Sequence, residues 1–285
     1  MIIGRIIKLV SNHYTVLLSD GTRVEALAMG KVRLDKAPIA GDFVKVEELG
    51  EHWVIQSIEP RLNELSRPAI ANVDQALIMM STVRPRFASG LVDRLIFLVS
   101  LAQIKPVLFV TKMDLIEDDD PVHELIADYR KAGYQVFEFG KDRPVTDLES
   151  LFKDKVSVLT GNSGVGESTL LNRIDSDLKI RTQETSEALG RGKHTTTHTE
   201  LHELHGGWIA DTPGFSSLDF SGVDPLELSQ SIPDFQIEEP CRFRDCIHQN
   251  EPGCAIKEAV KQGKVSTIRY ENYLEVLEVI EKERA

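Results

Sequence analysis

Two short motifs stand in an order that leaves few folds open to this chain. Thr111-Lys112-Met113-Asp114 closes an apolar run, Val107–Thr111, and has the lysine–aspartate form of a loop that reads a guanine ring. Further along, Gly161-Asn162-Ser163-Gly164-Val165-Gly166-Glu167-Ser168 follows a second apolar run, Val156–Thr160. It has the spacing of a phosphate-binding loop, G-x-x-x-x-G-K-[ST]. Gly161, Gly166 and Ser168 fit, and Glu167 stands where the lysine belongs. The usual chain meets the phosphate loop first and the base reader much later. The reversed order requires the same sheet to be entered at a different strand, a circular permutation.

The rest of the chain can be read around that sheet. Before it, short runs at Gly4–Val10, Tyr14–Ser19, Arg23–Ala28, Asp42–Glu47 and Trp53–Ile58 are separated by turn signals such as Ser19-Asp20-Gly21. Five short strands without a strong helix predict a small β-barrel of the OB type, and other small barrels share the pattern. From Ile70 the rhythm changes. Strands are expected at Gln75–Val83, Val107–Thr111, Tyr134–Phe139, Val156–Thr160 and Trp208–Asp211, and helices at Leu91–Ala102, Asp120–Gly133 and Ser168–Ile174. Such alternation predicts a mostly parallel sheet covered on both faces, with ligands at the carboxyl ends of its strands. A last helix, Val265–Arg284, is expected to bury Ile268, Leu274, Leu277 and Ile280. The division follows: an OB-type barrel over 1–66, a permuted nucleotide-binding α/β domain over 67–224, and a zinc-binding helical domain over 225–285.

Each motif has a chemical reason for its residue types. Glycines let backbone N–H groups turn inward around phosphate oxygens, with a helix N-terminus behind them. Gly161, Gly164 and Gly166 supply that freedom, Asn162, Ser163, Val165, Glu167 and Thr169 complete the loop, and Ser168 offers a hydroxyl to Mg²⁺. Asp211-Thr212-Pro213-Gly214 follows a strand, placing Asp211 near the metal's outer shell and the Gly214 N–H near the terminal phosphate. Asp114 can accept from guanine N1–H and the exocyclic amine, a pair adenine does not offer. Thr111 departs from the usual asparagine. Between the loop and Asp211 lies Gly190-Arg191-Gly192-Lys193-His194-Thr195-Thr196-Thr197, a switch-like segment. Thr196, or a neighbour in the Thr195–Thr197 run, is expected to complete the Mg²⁺ shell.

All three cysteines fall between 241 and 254: Cys241, Cys246 and Cys254, with His248 among them. Zinc favours thiolate and imidazole in a tetrahedron, and a Cys₃His set leaves no open position, so a structural ion is expected. Arg242, Arg244, Lys257, Lys261 and Lys264 lie around the cluster, where a solvated face or an RNA-facing patch would both use them.

Taken together, these motifs resemble the ribosome small-subunit-dependent GTPase A family, and the resemblance runs over essentially the whole length. It implies an N-terminal OB domain, a permuted GTPase domain and a C-terminal zinc domain. It further implies GTP/GDP and Mg²⁺ as ligands, one structural Zn²⁺, and the small (30S) ribosomal subunit with its rRNA as partner. GTP hydrolysis stimulated by that subunit, in its late maturation, is the activity implied. Small GTPases orient the attacking water with a glutamine after the D-x-x-G turn. Phe215 stands there, so His194 is the candidate catalytic residue, and the resemblance points to it too.

Composition adds limits. No apolar run approaches the ~18 residues of a membrane span, and a cysteine count of three offers no disulfide framework, so a cytoplasmic protein is expected, and a monomer is expected too. A net charge of −12 argues against general nucleic-acid binding while leaving a local basic face open. Glu167 replaces attraction for the phosphates with repulsion. A carboxylate ~4 Å from a phosphate charge, at an effective dielectric of ~20, costs about 4 kcal/mol before Mg²⁺ and solvent reduce it. The alternative reading is therefore a non-hydrolysing ribosome- or RNA-binding scaffold with a degenerate pocket.

Overall fold

The computed structural model describes residues 1–10, 12–28, 36–66, 68–141, 148–161, 165, 199–211 and 218–284. They form two compact units: one holds 1–75 with the described parts of 145–159 and 166–215, the other 76–144, 160–165 and the described part of 216–285.

In the first unit, β1 (Ile2–Val10), β2 (His13–Leu18), β3 (Arg23–Ala28), β4 (Phe43–Leu49) and β5 (His52–Ile58) are the five expected strands. Their order, β1-β2-β3-β5-β4, closes through pairing of β4 back to β1, with Ile2 opposite Val46 and Arg5 opposite Phe43. Only β3 and β5 run parallel. Closure leaves the barrel no free edge between β1 and β4, and this is the OB arrangement. Alternate side chains fill the interior: Tyr14, Val16 and Leu18 from β2 meet Ile6, Val44, Val46 and Ile55. A short hairpin, β6 (Glu64–Ser66) with β7 (Ala69–Ala71), follows, and its Ala71 accounts for Gly41. With φ +86 and a Cβ that would lie 2.0 Å from the Ala71 carbonyl oxygen, position 41 admits no side chain.

Strand β8 (Gln75–Ser81) leads into the second unit, where the order is β10 (Gln135–Glu138), β9 (Lys105–Thr111), β8. β9 and β10 are parallel, and β8 is buried along its full length, as a strand covered on both faces must be. The helices α1 (Ser89–Leu101) and α2 (Val122–Lys131) lie within two residues of their expected ends. To the first unit belong a short helix α3 (Leu148–Phe152), most of β11 (Val156–Gly161) and β13 (Gly207–Asp211), which runs parallel to β11. The antiparallel β12 (Glu200–Leu204) was not expected. It joins β13 through His205 and Gly206, both at positive φ, a two-residue turn whose twist matches the strands.

The C-terminal part carries α4 (Pro225–Ser231), α5 (Ala255–Lys261) and α6 (Thr267–Arg284). Helix α6 is present with Leu277 and Ile280 buried as expected, but Ile268 is exposed, Leu274 is half-buried, and Arg269, Tyr273 and Val276 are inside. The reason is Arg269, only 1% exposed and surrounded by carboxylates. It pairs with Asp93 of α1 at 3.3 Å, with Asp128 of α2 at 3.3 Å, and with Asp234, while its guanidinium lies 4.4 Å over the Tyr129 ring. A buried cation needs such partners, and their positions set the rotation of the helix. The expected helix Ser168–Ile174 lies outside the described residues.

Candidate nucleotide site and metal centre

At the carboxyl end of β9 the chain must leave the sheet abruptly. Lys112 does this in the left-handed conformation, φ 60, and a 3₁₀ turn, Met113–Leu115, follows. Several bonds fix that turn. Lys112 Nζ donates to the carbonyls of Val83 (2.9 Å) and Arg84 (2.8 Å), and Thr82 Oγ1 donates to the Lys112 carbonyl (2.8 Å). Met113 N–H donates to the Phe139 carbonyl at 2.9 Å. Asp114 is exposed at the end of this scaffold, beside buried Gly140.

Thr111 connects this turn to Val165 of the 161–168 motif. Its buried hydroxyl donates to the Val165 carbonyl at 2.6 Å, with the Met80 carbonyl a weaker acceptor at 3.2 Å. Val165 itself is fully buried. At the loop's start, a Cβ on Gly161 would lie 2.3 Å from the Met79 carbonyl oxygen, so the glycine is required by close approach to β8. Thr111, Lys112, Met113, Asp114, Gly161 and Val165 are thus brought to one end of the sheet. Of the other expected positions, Asn162, Ser163, Gly164, Gly166, Glu167, Ser168, Thr169, His194, Thr196 and Gly214 lie outside the described residues. Asp211 ends β13, and nothing further is described of its side chain. Sequence reading missed Thr82, the acceptors at Val83 and Arg84, and Gly140. Of these only Gly140 left a signal, a glycine directly after an apolar strand.

The second centre is built by backbone turns that gather four ligands. Cys241, Cys246, His248 and Cys254 offer ligand atoms all within 4.8 Å of one another. His248 Nδ1 lies 3.5 Å from Cys241 Sγ and 3.4 Å from the Sγ atoms of Cys246 and Cys254. A tetrahedral zinc with its usual bond lengths sets a sulfur–nitrogen edge of about 3.5 Å, so the set fits the ion. His248 adopts φ 63 to reach inward, and Gly253 turns the chain at φ 72. The N–H groups of Ala255 and Lys257 donate to Cys241 Sγ (3.4 Å) and Cys254 Sγ (3.5 Å), which favours thiolates. Burial acts the other way, pushing the Cys246 and Cys254 thiols up and the His248 imidazole down. A dication would offset that burial for the thiols.

Helix α6 supports this loop from outside. Tyr273 donates to the Ile247 carbonyl at 2.5 Å and Tyr270 to the His248 carbonyl at 2.7 Å. Glu251 accepts from the Ile247 and Gln249 N–H groups at 2.7 and 2.9 Å, bracketing the histidine.

An OB-type barrel, a base reader preceding its phosphate loop on an α/β sheet, and a C-terminal Cys₃His cluster define a circularly permuted GTPase. The sequence model of the RsgA GTPase family matches residues 58–221. The chain is 44% identical over 285 residues to a Bacillus subtilis (strain 168) protein named small ribosomal subunit biogenesis GTPase RsgA, covering 96% of each. An Enterococcus faecalis relative of the same name is 42% identical, with 99% of this chain and 96% of that one covered. Among solved structures, YloQ, described as a circularly permuted GTPase, superposes with a TM-score of 0.84 at 37% identity over 100% of this chain and 96% of that one. YjeQ from Thermotoga maritima gives 0.80 at 31% identity over 96% of each chain. The chain belongs to the RsgA GTPase family.

Proposed function

We propose that this chain hydrolyses GTP in the biogenesis of the small ribosomal subunit, binding that subunit and its rRNA as a cytoplasmic monomer. The observation that most supports the reading is the Thr111–Val165 bond, which ties the turn carrying Lys112 and Asp114 to a residue of the 161–168 motif. The names of the curated relatives supply the ribosomal context. No helix among the described residues is long and apolar enough to cross a membrane.

In this reading Asp114 accepts from the guanine N1–H and amine, Lys112 flanks the base, and residues 161–169 wrap the phosphates. Ser168 and Thr196 hold Mg²⁺, which supplies charge neutralisation at the transferring phosphate. Asp211 and Gly214 sense the terminal phosphate, and His194 orients water. The barrel over 1–66, the GTPase domain over 67–224 and the metal-binding region over 225–285 form the working units. Cys241, Cys246, His248 and Cys254 hold one zinc whose role is to stabilise the loop.

Glu167 bears on rate. Solvent and Mg²⁺ leave a penalty of ~3 kcal/mol relative to lysine, more than a hundredfold. GTP turnover with and without purified small subunits, for this chain and for Glu167→Lys, tests the whole reading. Subunit-stimulated turnover by this chain supports it, and no turnover by this chain, even where Glu167→Lys turns over, overturns its hydrolysis of GTP.

A further inference from the structure

The Cys₃His cluster is open on one side. A cavity of about 260 Å³ reaches it from α4, with Cys241, Cys246 and His248 in its wall and Cys254 outside it. Gln236, Glu239, Phe243 and Arg244 also line this cavity, and all four are exposed, so it communicates with water. A water molecule takes up about 30 Å³ of liquid, so a small polar oxidant has room to enter.

The three thiols are not equivalent. Cys246 and Cys254 are buried, and Cys241 is half-buried. Cys254 is the N-cap of α5, its sulfur accepting from the Lys257 N–H at 3.5 Å. Cys241 and Cys246 stand instead in the irregular loop between the 3₁₀ turn Pro233–Phe235 and α5. Their sulfurs are no more than 4.8 Å apart, and a disulfide needs ~2.05 Å. A loop closes that gap more readily than a helix cap does. Held as metal ligands the sulfurs are thiolates, the form that reacts with peroxides, and each has the other beside it to resolve the product.

We propose that Cys241 and Cys246 are a modification site for peroxides, which convert the pair into a reversible disulfide. The Cys241 thiolate attacks one oxygen of hydrogen peroxide; an S–O bond forms, the O–O bond breaks and hydroxide leaves. The Cys246 thiolate then attacks that sulfenic sulfur; the S–S bond forms, the S–O bond breaks and a second hydroxide leaves. Two electrons pass from the sulfurs to the peroxide, and a dithiol reductant returns them. Cys254 and His248 remain as two donors where a structural zinc takes four. Tyr270 and Tyr273, bonded to the carbonyls of His248 and Ile247, carry the loosening into α6. The inference rests on the proposed zinc reading of the four ligands.

The test treats the full chain, its zinc content measured first, with hydrogen peroxide. A chromogenic chelator follows released zinc, and peptide mass spectrometry maps the disulfide. Release of about one zinc per chain is expected, with a Cys241–Cys246 linkage, a lower melting temperature, and recovery on adding dithiothreitol and zinc. Phe243→Ala removes an exposed ring from the cavity and should release zinc at least about threefold faster, since access governs thiolate oxidation. An unchanged rate in that variant overturns entry by this route. Zinc retained under peroxide, linkage chiefly through Cys254, or sulfonic acids without a disulfide overturns the inference and leaves the zinc reading standing. A chain that takes up no zinc overturns the zinc reading, and the inference with it.

Discussion

The Thr111 hydroxyl donates to the Val165 carbonyl across 2.6 Å, joining two loops that are 54 residues apart in the chain. An asparagine is usual at the first position of this motif. Here the Thr111 hydroxyl supplies the donor, from a side chain whose χ1 is restricted. Thr111→Val keeps the shape and removes the donor, leaving a fully buried carbonyl without its partner. A loss of about 1.4 kcal/mol follows, seen as roughly tenfold weaker GDP binding in equilibrium titration. Unchanged affinity would show that the loops are positioned by other contacts.

Restoring a cation to the phosphate loop should act on turnover more than on folding. Glu167→Lys is expected to raise subunit-stimulated GTP hydrolysis by about a hundredfold or more, corresponding to ~3 kcal/mol. Single-turnover kinetics with and without subunits measure it. Equal rates in the two proteins would mean that another cation serves the phosphates.

One zinc per chain is expected by atomic absorption, and Cys246→Ala should abolish it. Because Tyr270 and Tyr273 bond to the carbonyls of the ligand loop, losing the ion also loosens α6. Chelation should therefore lower the melting temperature by at least about 5 °C, reversibly on adding zinc. A metal-free protein with the same melting curve would contradict a structural ion.

Replacing the buried guanidinium by a residue of similar bulk should be costly. Arg269→Met leaves the carboxylates of Asp93 and Asp234 buried without their cation, a penalty of about 3–5 kcal/mol. The penalty also depends on pH. Burial, opposed by Arg269, holds the Asp93 carboxyl above its ordinary range. An acid with a raised folded pKa contributes its stability below its unfolded pKa and loses it as pH rises through the folded one. Without Arg269 that folded value rises further, so the deficit of Arg269→Met should be larger at pH 7 than at pH 5. Denaturant melts at the two pH values check this, and a deficit that grows on acidification would refute it.

Much of this molecule was legible because its signals are local. Strand alternation and turn residues marked the barrel, and concentration of every cysteine between 241 and 254 marked the Cys₃His cluster. Motif order marked the permutation. What sequence did not disclose depends on long-range partners. β12 reads as Glu-Leu-His-Glu-Leu, too short and too charged to stand out, and becomes a strand through its turn to β13. The buried face of α6 was read only in part, at Leu277 and Ile280, because hydrophobic periodicity treats an arginine as solvent-facing, and nothing near Arg269 in sequence reveals carboxylates at 93, 128 and 234. Gly140 was overlooked for the same reason, its constraint being the neighbouring turn at Asp114.

The placement of that arginine has a consequence in time. Every strand of the barrel lies before residue 59, so the barrel can close while most of the chain is still being made. Arg269 is synthesised long after that barrel, and until it arrives Asp93 and Asp234 lack the cation they pair with. At ~10 residues per second, the interval between Ile58 and Arg269 is about 20 seconds of translation. Synthesis itself thus imposes an order of assembly, and a message truncated between those two points yields a finished barrel attached to a second unit that lacks its central ion pair.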